Sequence, residues 1–571
     1  MDIEVFISYS HNDEALKKEL ENHLSSLKRQ GLISTWYDRK IGAGEEWKGQ
    51  IDSHLNSAQI ILLLVSSDFM ASDYCIDIEM IRALERQEFG QAHVIPIILR
   101  PVDWQDAPFG KLQALPTNAE PIISRKWGCR DEAFVDVAKG IRSVVESLNS
   151  TRDSSLNGHA VNKNIELIIV DKMHRGDYDT ISDAISAAAP GSRIMVRSGM
   201  YDEGLIIDKP LEIEGDGNLG DVVIRAEGKA AISFRTAKGM ISNLVLNQMG
   251  GGDFYCVDIQ QGLLELNRCD ITSHSRACVA IHGKAYPKLK GNRIHDAKFG
   301  GIIVYENGQG LIEDNDIFRN DLSGITIEEA GNPTVRGNRI HDCVLHGINI
   351  WKNGQGLIEK NDIFGNSISG ITIEEAGNPI IYDNKIHDGD SVGIDVRKNG
   401  QGLIEENNIF GNTNPGIMID EAGKPTVRGN RIHDGDSVGI YVKESGQGLI
   451  EKNDIFGNIS GIWIDVAGNP TVRGNRIHDC RSDGILVLKN GQGLIEKNDI
   501  FGNNYSGIEI LESSCPIVRG NRINRNSLYA ICAHGNWAGI IENNDLRDNK
   551  YGAWFIQDNS KNAFKRSGNQ E

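Results

Sequence analysis

The sequence lacks several features that would assign it to common protein classes. Its nine cysteines include no C-x-x-C pair, and their odd number excludes a complete set of internal disulfides. No apolar run reaches 18 residues, and no charged-then-apolar segment opens the chain, so the sequence predicts neither export nor a membrane anchor. We therefore expect a cytoplasmic protein with reduced thiols, several of them buried as core fillers.

The sequence also lacks an excess of positive charge. Its formal net charge is -19, and no basic stripe offsets it. Phosphate backbones and anionic membranes repel such a chain, so we expect neither nucleic acid nor membrane as a partner. At 571 residues the chain is too long for one hydrophobic core, which predicts at least two domains.

What the sequence does contain is a repeat. The phrase NGQGLIEKNDIFGN begins at Asn353, and close variants stand near residues 307, 399, 445 and 490. Inside it a shorter rhythm of 23 residues, with a single step of 22, is marked by one recurring Asn. The positions of this Asn are Asn292, Asn315, Asn338, Asn361, Asn384, Asn407, Asn430, Asn453, Asn475, Asn498, Asn521 and Asn544. A fixed period of this length indicates stacked structural repeats.

Each unit contains short apolar runs such as GITIEE and PTVRGNRI, separated by turn residues, which predicts one coil of a parallel β-solenoid. Stacking then places equivalent residues in columns, so the Asn column is expected to pair amide to amide. Outward columns alternate in charge, as in Glu313, Arg336 and Glu359, which fixes the register between coils.

Another outward column alternates His and Phe, beginning at His295 and Phe318. Successive histidines are two coils apart, about 9.6 Å at the spacing of paired strands. One metal ion cannot bridge that distance, so we expect ring stacking in this column and predict no metal site.

The repeat resembles the right-handed parallel β-helix family, a pectin-lyase-like fold with carbohydrate-binding and sugar-hydrolase members. The segment YDTISDAISAAAPGSRIMVRSGMYDEGLIIDKPLEIEG matches the short helix and turn that cap this family's solenoid. The resemblance covers residues 165 to about 556, and it implies an all-β domain over residues 165–571. A polar stretch over residues 149–164 predicts a linker before it.

Residues 1–148 have a different pattern. IEVFISYS, GLISTWYD, AQIILLLVSS and AHVIPIILR are apolar runs that alternate with helical spacing, which predicts an α/β doubly wound parallel sheet. Ligands bind beyond the carboxyl ends of the strands in such sheets. The segments at those ends are SYSHND, YDRKIGAGEEW and SSDFMASDYCIDIE.

These segments resemble the TIR (Toll/interleukin-1 receptor) family in its bacterial form, which has a flavodoxin-like fold. VFISYSHND matches its first box, WYDRKIGAGEEW its BB loop, and SSDFMASDYCIDIEM the segment before its catalytic glutamate. The resemblance implies cleavage of NAD at the nicotinamide–ribose bond, with NAD as substrate and no cofactor. It also implies self-association through TIR domains and a role in prokaryotic immunity.

Carried onto this sequence, the resemblance makes Glu79 the catalytic residue. The residues that it places around the nucleotide are Ser8, Tyr9, Asp38, Trp47 and Cys75. The family often has Trp where this chain has Cys75. A fixed carboxylate suits the chemistry, because loss of nicotinamide develops positive charge on the ribose.

Two alternatives remain open at this stage. Glu79 could be an ordinary carboxylate in the first turn of a helix, and the TIR domain a non-catalytic adaptor. The solenoid could process glycans, but coils of 22 or 23 residues leave no room for long loops around a cleft. We expect the solenoid to sense a polymer, glycan or protein, or to scaffold self-assembly.

Overall fold

The computed structural model describes residues 3–36, 54–55, 57–71, 80–88, 92–105, 107–156, 166–557 and 564–571. It divides the chain into two compact units, Met1–Asn162 and Lys163–Glu571. Each unit is described by itself below.

The first unit contains, in its described part, a four-stranded parallel sheet in the order β2-β1-β3-β4. Its elements are β1 (Ile3–Ser8), α1 (Glu14–His23), α2 (Ser25–Arg29), β2 (Ile33–Trp36), β3 (Ile60–Val65), α3 (Ser67–Met70), α4 (Ile81–Glu88), β4 (His93–Ile98) and α5 (Arg130–Leu156), with 3-10 turns at His11–Asp13 and Thr117–Ala119. Every residue of β3 is buried, which is why this strand is apolar throughout.

The side chains of the sheet alternate between two hydrophobic clusters, one on each face. Ile7 and Leu62 pack in one cluster, whereas Phe6 and Leu63 pack in the other. This confirms the doubly wound α/β architecture predicted from the apolar runs. The last helix, α5, continues to Leu156, eight residues beyond the end predicted for this domain.

The second unit is the predicted right-handed β-solenoid, and the short helix α6 (Ile181–Ala187) lies between its first two strands, Leu167–Val170 and Arg193–Val196. Its coils contribute strands to three parallel faces, which we number in the order in which a coil visits them.

Face 1 consists of Leu167–Val170, Arg193–Val196, Glu212–Gly215, Lys238–Ser242, Val257–Asn267, Lys288–Lys290, Leu311–Glu313, Thr334–Arg336, Leu357–Glu359, Ile380–Tyr382, Leu403–Glu405, Thr426–Arg428, Leu449–Glu451, Thr471–Arg473, Leu494–Glu496, Ile517–Arg519, Gly539–Glu542 and Phe564–Ser567. Face 2 consists of Gly199–Tyr201, Val222–Ala226, Val245–Gln248, Asp270–Ser273, Arg293–His295, Asp316–Phe318, Arg339–His341, Asp362–Phe364, Lys385–His387, Asn408–Phe410, Arg431–His433, Asp454–Phe456, Arg476–His478, Asp499–Phe501 and Arg522–Asn524. Face 3 consists of Leu205–Ile207, Ile232–Phe234, the first part of Val257–Asn267, Val279–Ala285, Ile302–Val304, Ile325–Ile327, His346–Ile350, Ser369–Ile373, Val392–Val396, Ile417–Ile419, Ile440–Val442, Ile462–Ile464, Ile485–Val487, Ile508–Ile510, Ile531–Ala533 and Trp554–Ile556.

The core of the solenoid is a set of inward columns of Ile and Val. In-register pairing, as between Ile312 and Val335 on face 1, places like residues over one another. These side chains are fully buried and form one cluster along the described solenoid. A lone coil could not bury them, so each coil depends on its neighbours.

The Asn column forms the predicted ladder. Asn315 donates its side-chain N–H to Oδ1 of Asn338 at 2.9 Å, and it donates also to the backbone carbonyl of Leu289 at 3.0 Å. The short coil keeps the pattern, because Asn453 donates to Asn475 at 3.0 Å across the single step of 22. Each buried amide therefore satisfies both its own polar atoms and a backbone group of a neighbouring coil.

A second, partial ladder was missed by the sequence analysis. Asn366 stands at the turn after face 2, and its Oδ1 accepts the backbone N–H of Cys343 at 3.1 Å. Asn412 does the same for the backbone N–H of Gly389. Near the end of the solenoid the amides pair directly, as when Asn503 donates to Asn526 at 2.9 Å. The signal was an Asn that recurs in alternate coils up to Asn503 and in successive coils from there to Asn549.

The outward columns of faces 1 and 2 also follow prediction. Arg428 donates to the carboxylate of Glu405 on the preceding coil at 2.7 Å. The rings of His341 and Phe364 stack with centroids 4.7 Å apart. His341 is also held between two carboxylates, Asp316 at 3.1 Å and Asp342 at 2.8 Å.

Candidate functional site

Two of the predicted nucleotide-binding residues lie in the described part of the first unit. Ser8 ends β1 at the carboxyl edge of the sheet and is buried. Tyr9 follows it, packs in a core cluster, and donates its hydroxyl hydrogen to the Glu14 carboxylate at 2.7 Å. The predicted residues Glu79, Asp38, Trp47 and Cys75 lie outside the described residues, so their placement stays a prediction.

The same edge holds an ion-pair network that the sequence analysis did not find. Asp13, Ser66 and Arg100 lie just after β1, β3 and β4, respectively. Nη2 of Arg100 lies 2.7 Å from Oδ1 of Asp13, and the Ser66 hydroxyl donates to Oδ2 of Asp13 at 2.5 Å. Arg100 also pairs with Asp68 and lowers the pKa of its carboxyl. The network ties three strand ends together at the edge where such sheets bind ligands.

Face 3 of the solenoid differs from the other faces in its outward column. The register-matched outward residues of its strands, from the fifth strand on, are Ile303, Thr326, Asn349, Thr372, Asp395, Met418, Tyr441, Trp463, Leu486, Glu509, Cys532 and Phe555. This column does not repeat, although the inward residues on both sides of it do. Coil stacking therefore does not account for its composition.

Charged groups collect in the middle of face 3. Glu374 accepts a hydrogen bond from Nε of Arg397 at 3.2 Å and from Nζ of Lys398 at 2.8 Å. Asp395 lies on the same coil as Arg397, with 3.6 Å between their charged atoms. Asp420 lies on the next coil, 3.5 Å from Nζ of Lys443. We call these six residues the acid–base cluster.

The two aspartates of this cluster are strongly buried. Asp395 is 3% exposed and Asp420 is 5% exposed. Burial, and then the neighbouring charge of Asp420, raise the pKa of Asp395 to about 7. Burial also raises the pKa of Asp420. One oxygen of each carboxyl has no hydrogen-bond partner among the described residues, which is costly unless water or a ligand supplies one.

Half-buried aromatic side chains flank the acid–base cluster. Trp351 lies on the N-terminal side of the cluster, and Tyr441 and Trp463 lie at its C-terminal end. Tyr441 donates to Asp465 at 2.7 Å and makes an edge contact with Trp463. The indole N–H groups of both tryptophans have no acceptor among the described residues. Ring faces beside polar groups that lack partners are features of sites for small molecules.

A second group lies further along face 3. Ligand-type atoms of Glu509, Cys532 and His534 all lie within 4.8 Å of one another, although the sequence analysis predicted no metal site. The signal for both groups was present in the sequence: the residue after the recurring Ile of face 3 changes type from coil to coil. Among the described residues, no helix combines the length and apolar character needed to cross a membrane.

Comparison with known proteins assigns both units. The sequence profile described as right handed beta helix region matches residues 230–378, 345–465 and 425–567, which together span more than half of the chain. The profile described as TIR domain matches residues 5–123. An uncharacterized protein of Sinorhizobium fredii is 58% identical over 147 residues, which is 26% of this chain and 45% of that protein. The match therefore spans less than half the length of that curated relative.

Solved structures resemble the chain at low identity. The A-module of the Azotobacter vinelandii mannuronan C-5 epimerase AlgE4 has 13% identity and a TM-score of 0.31, covering 68% of this chain and 94% of that one. The pectate lyase Pel9A has 13% identity and a TM-score of 0.23, covering 62% of this chain and 76% of that one.

Proposed function

This chain belongs to the right-handed β-helix family and carries a TIR domain at its N-terminus, and from that premise we propose that it is an NAD-cleaving effector controlled by its solenoid. In this proposal the TIR domain acts as an NAD nucleosidase, of the glycohydrolase or cyclase type. The solenoid receives a ligand or brings copies of the chain together.

The observation that carries the catalytic part is the carboxyl edge of the parallel sheet within the TIR match. Ser8, Tyr9 and the network around Asp13 and Arg100 all lie at that edge, where a nucleotide would bind. Glu79, from the third predicted segment, is proposed to face the ribose. The Asp13–Arg100 pair is proposed to hold the edge rigid, since a preorganised site spends less energy on reorganisation.

The proposed reaction breaks the bond between C1′ of the ribose and the nicotinamide nitrogen. Nicotinamide leaves with the bonding electron pair and becomes neutral, while positive charge develops on the ribose. The Glu79 carboxylate stabilises that charge. Water then adds at C1′ and releases a proton, which gives ADP-ribose; attack by a nitrogen of the adenine instead would give a cyclic product.

The test is release of nicotinamide from NAD by the full-length protein, followed by chromatography. We expect Glu79→Gln to lower the rate by at least 100-fold. A matched control is Glu146→Gln, which removes an exposed carboxylate from α5 of the same domain and should leave the rate unchanged. Equal rates for Glu79→Gln and the unaltered protein would refute the catalytic role.

The alternative is a TIR domain that only assembles with other TIR domains. It predicts no nicotinamide release even when the domains are forced together by a fused inducible dimeriser. It also predicts that Glu79→Gln leaves downstream complexes intact. The two functions are therefore separated by one enzymatic measurement.

For the solenoid we propose a carbohydrate chain as the ligand, bound along face 3. Trp351, Tyr441 and Trp463 offer ring faces, and the acid–base cluster offers partners for hydroxyl or carboxyl groups. Affinity electrophoresis against a panel of neutral and acidic polysaccharides tests this. Trp463→Ala should weaken retention at least 10-fold, whereas Tyr286→Ala, which removes an exposed aromatic ring before the repeat, should not.

A further inference from the structure

We propose that Glu509, Cys532 and His534 form a binding site for one divalent metal ion of the zinc class. The site lies on face 3 near the C-terminal end of the solenoid, beyond the acid–base cluster. It does not depend on the proposed NAD or carbohydrate activity.

The fold places these three side chains together. Glu509 and Cys532 are register partners on the adjacent strands Ile508–Ile510 and Ile531–Ala533. Both are outward residues at the middle of their strands, so their side chains lie side by side. His534 follows Cys532 by two positions, which returns it to the same side of the sheet.

The distances fit a tetrahedral metal site. Nε2 of His534 lies 3.1 Å from Sγ of Cys532 and 3.7 Å from Oε1 of Glu509. Zinc bonds of about 2.3 Å to sulfur and about 2.1 Å to nitrogen or oxygen place tetrahedral ligand atoms roughly 3.4 to 3.6 Å apart. These two spacings lie on either side of that range, and Sγ of Cys532 lies within 4.8 Å of a Glu509 oxygen, so rotations of the side chains would complete the geometry.

Neighbouring residues orient two of the three ligands. Nδ1 of His534 lies 3.4 Å from Oε1 of Gln557, and in the tautomer that donates to this oxygen the lone pair of Nε2 faces Cys532. Asp483 lies beside Glu509 and is itself fixed by the backbone N–H of Ser506 at 2.9 Å. Partners of this kind fix the ring orientation and tautomer of metal-bound histidines and orient bound carboxylates.

A Cys–His pair can serve as a nucleophile or as metal ligands, and the carboxylate of Glu509 within 4.8 Å of both ligand atoms favours the second use. Burial, and then the charge of Glu509, raise the pKa of Cys532 to about 12. Burial, and then Asp483, raise the pKa of Glu509. A bound metal ion would stabilise the charged forms of both groups.

The ligand atoms determine the class of metal. Sulfur, nitrogen and oxygen together suit zinc and its first-row neighbours, whereas calcium and magnesium prefer oxygen alone. Three protein ligands leave a fourth position for solvent or for a group of a ligand on face 3. His534 is partly exposed, so an ion can enter from solvent.

The test uses reduced, chelator-treated full-length protein titrated with Co²⁺ as a coloured substitute for zinc. We expect one Co²⁺ per chain, a sulfur-to-metal charge-transfer band in the near ultraviolet, and loss of the band on adding Zn²⁺. Cys532→Ser should abolish the band, and His534→Asn should weaken Co²⁺ binding at least 10-fold. Cys515→Ser, which removes an exposed thiol from the preceding coil, should change neither.

Circular dichroism of each variant establishes that the solenoid is folded. No charge-transfer band in the unaltered protein, or a band that survives Cys532→Ser, would overturn the proposal.

Discussion

Asp395 and Asp420 occupy successive coils of face 3, and each has one carboxyl oxygen without a hydrogen-bond partner among the described residues. Their side chains are two residues out of register, because Asp395 pairs with Met418, whereas Asp420 follows the end of that strand at Ile419. The cations that balance their charges are not in close contact: Arg397 lies 3.6 Å from Asp395, and Lys443 lies 3.5 Å from Asp420, measured between the nearest charged atoms. The centre of face 3 is therefore arranged at a cost to stability, as binding sites commonly are.

Asp395 makes stability depend on pH. Its pKa is raised to about 7 in the folded protein, so the folded state holds this proton more tightly than the unfolded chain does. Below pH 4 the Asp395 carboxyl is protonated in both the folded and the unfolded state. As the pH rises from 4 to 7 the unfolded chain loses this proton first, so the free energy of unfolding falls. Asp395→Asn cannot ionise at this position. We therefore expect the free energy of unfolding of this variant, relative to the unaltered protein, to rise by on the order of 2–4 kcal/mol from pH 4 to pH 8.

Denaturant midpoints at pH 5 and pH 8 check this expectation. The control is Asp390→Asn, which alters an exposed aspartate in the turn before the same strand. A difference between Asp395→Asn and the unaltered protein that is the same at both pH values would show that Asp395 ionises normally.

Asn407 tests the Asn ladder. Its Oδ1 accepts the backbone N–H of Asn384 at 2.9 Å, and its amide donates to Asn430 at 2.9 Å. Asn407→Ala leaves buried groups unpaired on both adjacent coils, so we expect a loss of about 2–4 kcal/mol. Asn414→Ala, at an exposed turn of the same coil, should cost less than about 0.5 kcal/mol. Urea unfolding followed by circular dichroism measures both, and similar midpoints would contradict the ladder's role.

Arg100 tests the network at the sheet edge. Arg100→Ala leaves the Asp13 carboxylate buried without its charge partner, which we expect to cost about 2–4 kcal/mol. Hydrogen exchange in the full-length protein should then accelerate in β1, β3 and β4, with the solenoid unaffected. Adding Asp13→Asn should recover part of the loss. The control Arg125→Ala removes an exposed arginine of the same unit. If this variant also exchanged faster in β1, β3 and β4, the effect would be one of general charge and not of the Asp13–Arg100 pair.

Control by the solenoid is tested by removing it. A chain truncated after Leu156 keeps all of α5, whereas one truncated after Leu148 would cut the helix. If the solenoid sets when TIR domains meet, the full-length protein should show NAD turnover that rises more steeply than linearly with its concentration. The truncated chain should lose that dependence. Identical rate curves and identical masses by light scattering for the two chains would remove the regulatory role.

The repeated columns could be predicted from sequence because their geometry needs only the period. Once the coil length is known, Asn315 must lie over Asn338, and Glu405 must lie beside Arg428. Because parallel coils stack in register, the position of a residue in one coil predicts the position of its equivalent in every other coil. The charge alternation and the His–Phe stacking followed from the same rule.

The remaining features were not predicted, for two physical reasons. Asp13 and Arg100 are far apart in sequence and meet only because β1, β3 and β4 are neighbours in the sheet. The proposed metal site lies in a column without a repeating pattern, so it depends on which strand residues point outward, namely Glu509, Cys532 and His534. Side chains alternate between inward and outward along a strand, and this alternation could have identified the outward column of face 3 from the sequence.

The short coil between Asn453 and Asn475 has a consequence for changing the length of this protein. The missing residue falls in the turn between faces 2 and 3, and the side-chain hydrogen bond from Asn453 to Asn475 is as short as the others in the ladder. This turn can therefore absorb an insertion or a deletion, whereas the strands and the Asn ladder cannot. Lengthening by whole pairs of coils, 46 residues at a time, would preserve every alternating column. The solenoid is in that sense modular, and the spacing between the acid–base cluster and the proposed metal site could be altered one module at a time.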